Sequence, residues 1–171
     1  MPLGVKWPND IYVYHPAGPR SAGSIKVGGV LVTTSIVGSQ VIASIGCGVN
    51  LNNQRPTRSL NELISQFEGT RPISLEHFLA TVFNQLEELI DLVSSGHLNQ
   101  VIETYHKNWL HDGAVVTIRT INDEIVSAQI LGIDEFGFLR VQPREGSSVT
   151  VHPDGNSFEM LSGLVTPKLM R

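Results

Sequence analysis

The sequence predicts an α+β protein in two parts, a strand-and-helix portion over 1–108 and a small all-β portion over 109–171. Three observations predict it. Two long apolar runs, 25–33 and 40–49, read as strands and are separated by Gly38-Ser39, a tight-hairpin signal. From 74 to about 94, Leu75, Phe78, Leu79, Val82, Leu86, Leu89, Ile90 and Val93 fall at helical spacing. After Asp112-Gly113 the texture changes to short β-rich runs with turn residues between them, which suggests a small barrel or sandwich.

The elements follow in order. Residues 11–14 form a short β-rich run, followed by a loop broken by Pro16, Gly18, Pro19 and Gly23. The 25–33 and 40–49 runs are nearly continuous in apolar residues, which predicts a sheet with at least one well-covered face. Ser59, with Glu62 three residues on and Leu60, Leu63 and Ile64 around it, is a capping-box start. Gly96 ends the long helix, and Leu98, Val101, Ile102 and Tyr105 mark a second one running toward Trp109. Strands are expected at 115–120, 125–133, 138–141 and 149–151. Asn122-Asp123, Glu135-Phe136-Gly137 and Glu145-Gly146 supply the turns. His152-Pro153-Asp154-Gly155-Asn156-Ser157-Phe158 reads as a tight surface turn.

Bulk properties narrow the function. The net charge of −4 gives no electrostatic footprint for nucleic acid. The single cysteine, Cys47, can form no intrachain disulfide and no thiolate zinc site, and reads as a small core residue in a reducing compartment. The six histidines form no H-x-x-x-H pair, so no metal site is expected from protein nitrogen. No stretch is apolar enough to span a membrane, and residues 1–5 lack the pattern of a secretion signal. The expectation is a soluble cytoplasmic protein.

Chemistry concentrates in three places. Lys6-Trp7-Pro8-Asn9-Asp10 joins a cation, an aromatic, a φ-fixing proline, an amide and an acid. Pro-Asn-Asp alone is turn chemistry; with Lys6 and Trp7 it becomes a candidate polar site. Lys26-Val27-Gly28-Gly29-Val30-Leu31 puts paired glycines inside an apolar strand, at a cost of roughly 0.5–1 kcal/mol each relative to alanine. Either a bulge or the close approach of a ligand explains them, and a lysine just before them suits an anionic ligand. Gly46-Cys47-Gly48-Val49-Asn50 ends the next strand in glycines, without the third glycine and helix of a dinucleotide fingerprint.

In this order the three segments resemble the biotin protein ligases, called holocarboxylase synthetases in eukaryotes. Lys6 to Asp10 match the family's K-W-P-N-D, Lys26 to Leu31 its K-[hydrophobic]-[G/A]-G-[I/V]-L strand, and Ile45 to Asn50 its I-G-x-G-x-N segment. Asn53 to Leu63, Trp109 to Gly113 and His152 to Phe158 look like the eukaryotic branch, so the resemblance covers essentially the whole chain.

The resemblance implies the remainder of a class II synthetase-like catalytic domain, 1–108, followed by an SH3-like β-barrel, 109–171. It implies ATP, biotin and Mg²⁺ as ligands and the biotin carboxyl carrier domains of carboxylases as partners, with neither nucleic acid nor membrane. Biotin and ATP give biotinyl-5′-AMP, and a carrier lysine then takes the biotin. Within that chemistry Lys26 stabilises charge at the reacting carboxylate and phosphate. Gly28 and Gly29 keep the biotin slot clear, and Lys6, Trp7, Gly46 and Gly48 belong to the ligand site. Asn9 and Asn50 hold ribose, phosphate or adenine groups. Asp10 either positions or deprotonates the incoming lysine, or helps hold Mg²⁺ through water.

In the family an Arg- and Gly-rich loop, G-R-G-R-x-G, precedes K-W-P-N-D, whereas five residues precede Lys6 here. The expectation is a truncated chain with an incomplete site, inactive alone. A non-catalytic module that binds carrier domains or modulates a full ligase is the alternative, and a lipoate ligase a third reading. A mitochondrial form requires an N-terminal presequence.

Overall fold

The structure, a computed structural model, describes residues 2–14, 23–53, 57–66, 70–119, 124–151, 158–159 and 164–165. The chain divides into two compact units, Met1–Trp109 and Leu110–Arg171.

In the first unit β1 (Leu3–Lys6), β2 (Asp10–Val13), β3 (Ile25–Val37) and β4 (Gln40–Val49) form an antiparallel sheet in that order. Gly38-Ser39 make the two-residue turn between β3 and β4, with Gly38 at φ +63°, a conformation that suits glycine. A register shift between β2 and β3 leaves Val27 unpaired, so it bulges. Val27 is fully buried and packs with Val13, Leu51, Leu60 and Leu63.

Leu60 and Leu63 come from α1 (Leu60–Ile64), capped by Ser59, whose hydroxyl accepts the Glu62 N–H. Glu62 does not close the expected capping box back onto Ser59; its carboxylate takes the Arg58 guanidinium at 3.0 Å. Asn61 pins the segment before the next helix. Its side chain accepts the Ile73 N–H and donates to the Ile73 carbonyl, both at 2.8 Å. Replacing Asn61 with alanine would leave both backbone groups unsatisfied. The expected loss is about 1–3 kcal/mol, read as a lower denaturation midpoint at unchanged m-value. A midpoint within error of the wild type would show that water replaces the amide at no cost.

The long helix α2 (Leu75–Ser94) begins at Ser74, which caps the His77 N–H, and α3 (Leu98–Lys107) follows. Neither helix has a buried residue, and the apolar stripe of α2 is at most half-buried, at Phe78, Val82, Leu86, Leu89 and Leu92. One expectation needs correction here. The well-covered face holds only at the base of the β3–β4 hairpin, where the core lies. Beyond it both faces are open, and Ile36 is 78% exposed. The apolar run predicts strand correctly but not burial, because burial depends on what lies across the sheet.

Trp109 closes the unit. It forms a parallel bridge with Val5, and the Val5 N–H donates to the Asn108 carbonyl at 2.7 Å, so the segment after α3 lies along β1.

The second unit is a sheet of β5 (Val115–Arg119), β6 (Ile125–Ile133), β7 (Leu139–Pro143), β8 (Val149–Val151), β9 (Phe158–Glu159) and β10 (Leu164–Val165), in the order β8-β7-β6-β5-β10-β9. Its inward side chains alternate as expected: Val116, Ile118, Ala128, Ile130, Leu139 and Val141 are buried. The Asp134 carboxylate accepts the N–H groups of Phe136 and Phe138, folding the Glu135-Phe136-Gly137 turn. The sequence expectation missed β9 and β10, two-residue strands too short to carry a periodic signal. β10 pairs parallel to β5, and no closed barrel forms among the described residues. The loop at 15–22 and the turn residues 152–157 lie outside the described residues.

Candidate functional site

The site is built on one face of the first sheet. The closing pair of the β1–β2 hairpin is Lys6 opposite Asp10, with Trp7, Pro8 and Asn9 as the loop and a cis peptide between Trp7 and Pro8. Asp10 also faces Gly29, and Tyr12 faces Lys26. Side chains alternate across a strand, so Asp10 and Tyr12 share a face. The register carries Lys6, Lys26 and Gly29 onto the same face. Past the bulge, Gly29 faces Gly48 and Leu31 faces Gly46. A charged cluster therefore stands beside a floor of glycines. The opposite face carries Ile11, Val13 and Val49 into the core.

Lys26 Nζ lies 2.6 Å from Asp10 Oδ1. The Lys26 side chain is 53% exposed and that of Asp10 is 22% exposed, so the lysine reaches outward while the carboxylate is held in. Lys6 is buried, with Nζ 5.9 Å from the centre of the Tyr12 ring. Burial lowers the Lys6 pKa from the usual lysine value; Asp10 opposes this and Lys26 adds to it. Burial raises the Tyr12 phenol, as does Asp10, with Lys26 opposing.

Beside the cluster lies an open depression of about 430 Å³, lined by Asn9, Gly29, Leu31, Gly46, Cys47 and Gly48 among others. Cys47 is exposed there, which corrects its reading as a core residue: the hairpin stands free at this point, and no core lies behind it.

The glycines divide by cause. A Cβ on Gly28 would meet the Gly48 carbonyl at 2.6 Å, so the neighbouring strand itself requires glycine there. On Gly29 it would press on Asp10 Oδ1 at 3.1 Å. On Gly46 it would make only ordinary contact, and on Gly48 it would meet nothing within 4 Å. The fold thus explains Gly28. The bareness of Gly46 and Gly48 leaves the floor of the depression clear.

Asn9 is the hinge between turn and sheet. Its side-chain amide donates to the Val30 carbonyl at 2.6 Å, and its own carbonyl accepts the Val30 N–H at 2.8 Å. This clamp sets the carboxylate of the next residue, Asp10, against Lys26. Trp7 is buried beneath the turn. The Asn50 backbone donates to the Val27 carbonyl at the bulge and accepts the Leu60 N–H, tying the end of β4 to α1.

The structure thus brings Lys6, Asn9, Asp10, Lys26, Gly29, Gly46 and Gly48 together on one face. Tyr12 is the member that sequence reading missed. Its signal was the two-residue spacing from Asp10, which places both on one side of a strand. No group of three or more metal-ligating side chains occurs among the described residues. None of the described helices is long and apolar enough to cross a membrane.

Residues 1–50 match the Biotin/lipoate A/B protein ligase family. Residues 113–161 match the Biotin protein ligase C terminal domain, an SH3-like domain. Over both segments the chain is similar to biotin protein ligases.

It is 39% identical to the biotin–protein ligase of Homo sapiens over 97% of this chain, and 30% identical to biotin–protein ligase 2 of Arabidopsis thaliana over 96%. The chain spans 22% of the human relative and 49% of the plant one. The fold is also that of the Aquifex aeolicus biotin protein ligase solved in complex with biotin and ATP. The TM-score is 0.62 at 18% identity, covering 88% of this chain and 59% of that one.

Proposed function

We propose that this face is a biotin-adenylation site and that the protein acts as an ATP-dependent, AMP-forming biotin protein ligase. One observation carries the reading: the half-exposed Lys26 is held by Asp10, whose cross-strand neighbour Gly29 lines the depression with Gly46 and Gly48. An uncharged depression opened by three glycines beside Leu31 suits an apolar ring system, and a lysine one strand away suits the carboxylate at the end of that ligand's chain.

In the first step a carboxylate oxygen of biotin forms a bond to the α-phosphorus of ATP. The bond from that phosphorus to the bridging oxygen breaks, and pyrophosphate leaves. Lys26 neutralises the carboxylate as it approaches and then the charge gathering on the α-phosphoryl oxygens. In the second step the amine of a carrier-domain lysine attacks the acyl carbon, AMP departs, and the amine loses a proton. Asp10, partly buried and next to Lys26, is the carboxylate placed to orient that amine or receive the proton. Mg²⁺ would screen the ATP phosphates. A single carboxylate engaged by Lys26 suits magnesium held mainly by phosphates and water, with Asp10 reached through water.

The test measures biotin binding by calorimetry and biotinyl-AMP formation with Mg-ATP. Both are read on the chain alone and on the chain joined to a segment bearing a G-R-G-R-x-G loop. The reading expects biotin binding, and adenylate once the loop is present. Neither binding nor adenylate in either form would overturn it.

The floor offers its own test through paired variants. Gly28→Ala is expected to destabilise the fold by about 1–3 kcal/mol, because its methyl would strike backbone. Gly48→Ala, open on all sides, is expected to keep stability within about 0.5 kcal/mol while weakening biotin binding. Unaltered biotin affinity in Gly48→Ala would move the ring-binding surface elsewhere.

A further inference from the structure

We propose that Gly29 is a positioning residue for the Asp10–Lys26 ion pair: the side chain it lacks makes room for the Asp10 carboxylate rather than for the ligand. The inference rests on the adenylation reading above and gives Gly29 a part within it.

Gly29 lines the depression together with Gly46 and Gly48, yet a methyl would meet something different at each. On Gly48 it would enter open space, and on Gly46 it would make ordinary contact with a backbone carbonyl. On Gly29 the nearest atom is Asp10 Oδ1, at 3.1 Å, tighter than ordinary contact. That same oxygen takes the Lys26 ammonium at 2.6 Å. The place of a side chain on Gly29 is therefore already claimed by the ion pair.

The backbone has little room to relieve such a contact. Asp10 and Gly29 are cross-strand partners. One residue along, Asn9 and Val30 are tied twice: the Asn9 carbonyl accepts the Val30 N–H at 2.8 Å, and the Asn9 amide donates to the Val30 carbonyl at 2.6 Å. The strands cannot part there without losing both bonds, so the carboxylate itself must turn away. It would give by a few tenths of an ångström and carry the Lys26 ammonium with it, because that side chain is 53% exposed and free to follow. A site whose groups must hold to within about 0.5 Å registers a shift of that size. Gly46 and Gly48 thus clear the ring's place, and Gly29 sets the charge beside it.

The test compares Gly29→Ala with Gly48→Ala by calorimetry, using biotin and its neutral alcohol analogue, biotinol. The ratio of the two affinities reports the contact between Lys26 and the ligand's carboxylate. Gly29→Ala is expected to lower that ratio about fivefold through weaker biotin binding, the scale of a disturbed charge contact. Gly48→Ala should weaken both compounds alike and hold the ratio within about twofold. Asp10→Ala removes the atom that the methyl would press on. In that background Gly29→Ala should change the ratio by less than about twofold. Should Gly29→Ala alone fail to fold, the double variant is expected to fold as well as Asp10→Ala.

Equal losses of biotin and biotinol in Gly29→Ala would mean that the methyl obstructs the ring. A ratio that falls as far without Asp10 would mean that Gly29 acts on another group. A double variant that unfolds where Asp10→Ala does not would place the clash elsewhere. Each result overturns the proposal. A wild-type chain that binds biotin, with Gly29→Ala keeping the same ratio, removes this proposal alone. A wild-type chain that binds neither compound removes the adenylation reading together with it.

Discussion

Lys26→Ala is expected to lower biotinyl-AMP formation by about 100-fold or more. That is the usual consequence of losing one pre-placed group aimed at developing transition-state charge. The geometry makes the case. Lys26 is fixed at its base by pairing with Tyr12 and at its tip by Asp10, yet half its side chain is exposed. The ammonium is thus held in place before ligand arrives. Alanine removes the charge and leaves Asp10 without its ion-pair partner, so two unfavourable effects add.

Arginine would keep the charge on a larger, planar head and should recover only part of the rate. Biotin binding and adenylate formation should be read separately, because a purely ground-state contact would alter affinity and spare kcat. A Lys26→Ala protein that forms adenylate at the wild-type rate would end the assignment.

Trp109→Ala is expected to be the most damaging change to the first unit, at about 3–5 kcal/mol. Trp109 is fully buried, with its ring 5.9 Å from Tyr105 and 5.3 Å from His106, centre to centre. Burial also pushes the Tyr105 phenol up to about 12, in keeping with a packing role for that ring. The cavity would open beside β1, because Trp109 bridges Val5, and the Val5 N–H is held by the Asn108 carbonyl. Lys6 is the residue after Val5. A loosened β1 should therefore reduce ligand binding as well as stability.

Chemical unfolding of Trp109→Ala and Trp109→Phe beside the wild type checks this, with phenylalanine expected to fall between the two. A cost below about 1 kcal/mol for alanine would mean that the site collapses around the gap and that the bridge to β1 does not depend on the indole.

Much of this was legible in the order of residues. Ser59 and Ser74 start helices because a hydroxyl just before an amphipathic run satisfies a free N–H, and both do so. Gly38-Ser39 make the hairpin turn for a reason equally local. The three motif segments carried the resemblance because their glycines and charges stand together in one order along the chain. Where the reading failed, the missing information was non-local. Cys47 looked like core because its neighbours are apolar, but nothing packs behind that part of the hairpin. The 25–33 and 40–49 runs looked like a sheet with a well-covered face, and beyond the base of the hairpin both faces are open.

The site shows the same division. Sequence alone named Lys6, Asn9, Asp10, Lys26 and the glycines, because they cluster in three motifs that together resemble one family. It could not say which of them share a face. That depends on a single bulged residue, Val27, which shifts the β2–β3 register and brings Lys26 round to Asp10. Nor could it separate Gly28, demanded by a carbonyl on the next strand, from Gly48, which faces open space. Local preferences are properties of a few adjacent residues and are written into their order. Cross-strand register and burial arise only when distant segments meet, and so the tertiary structure decided them.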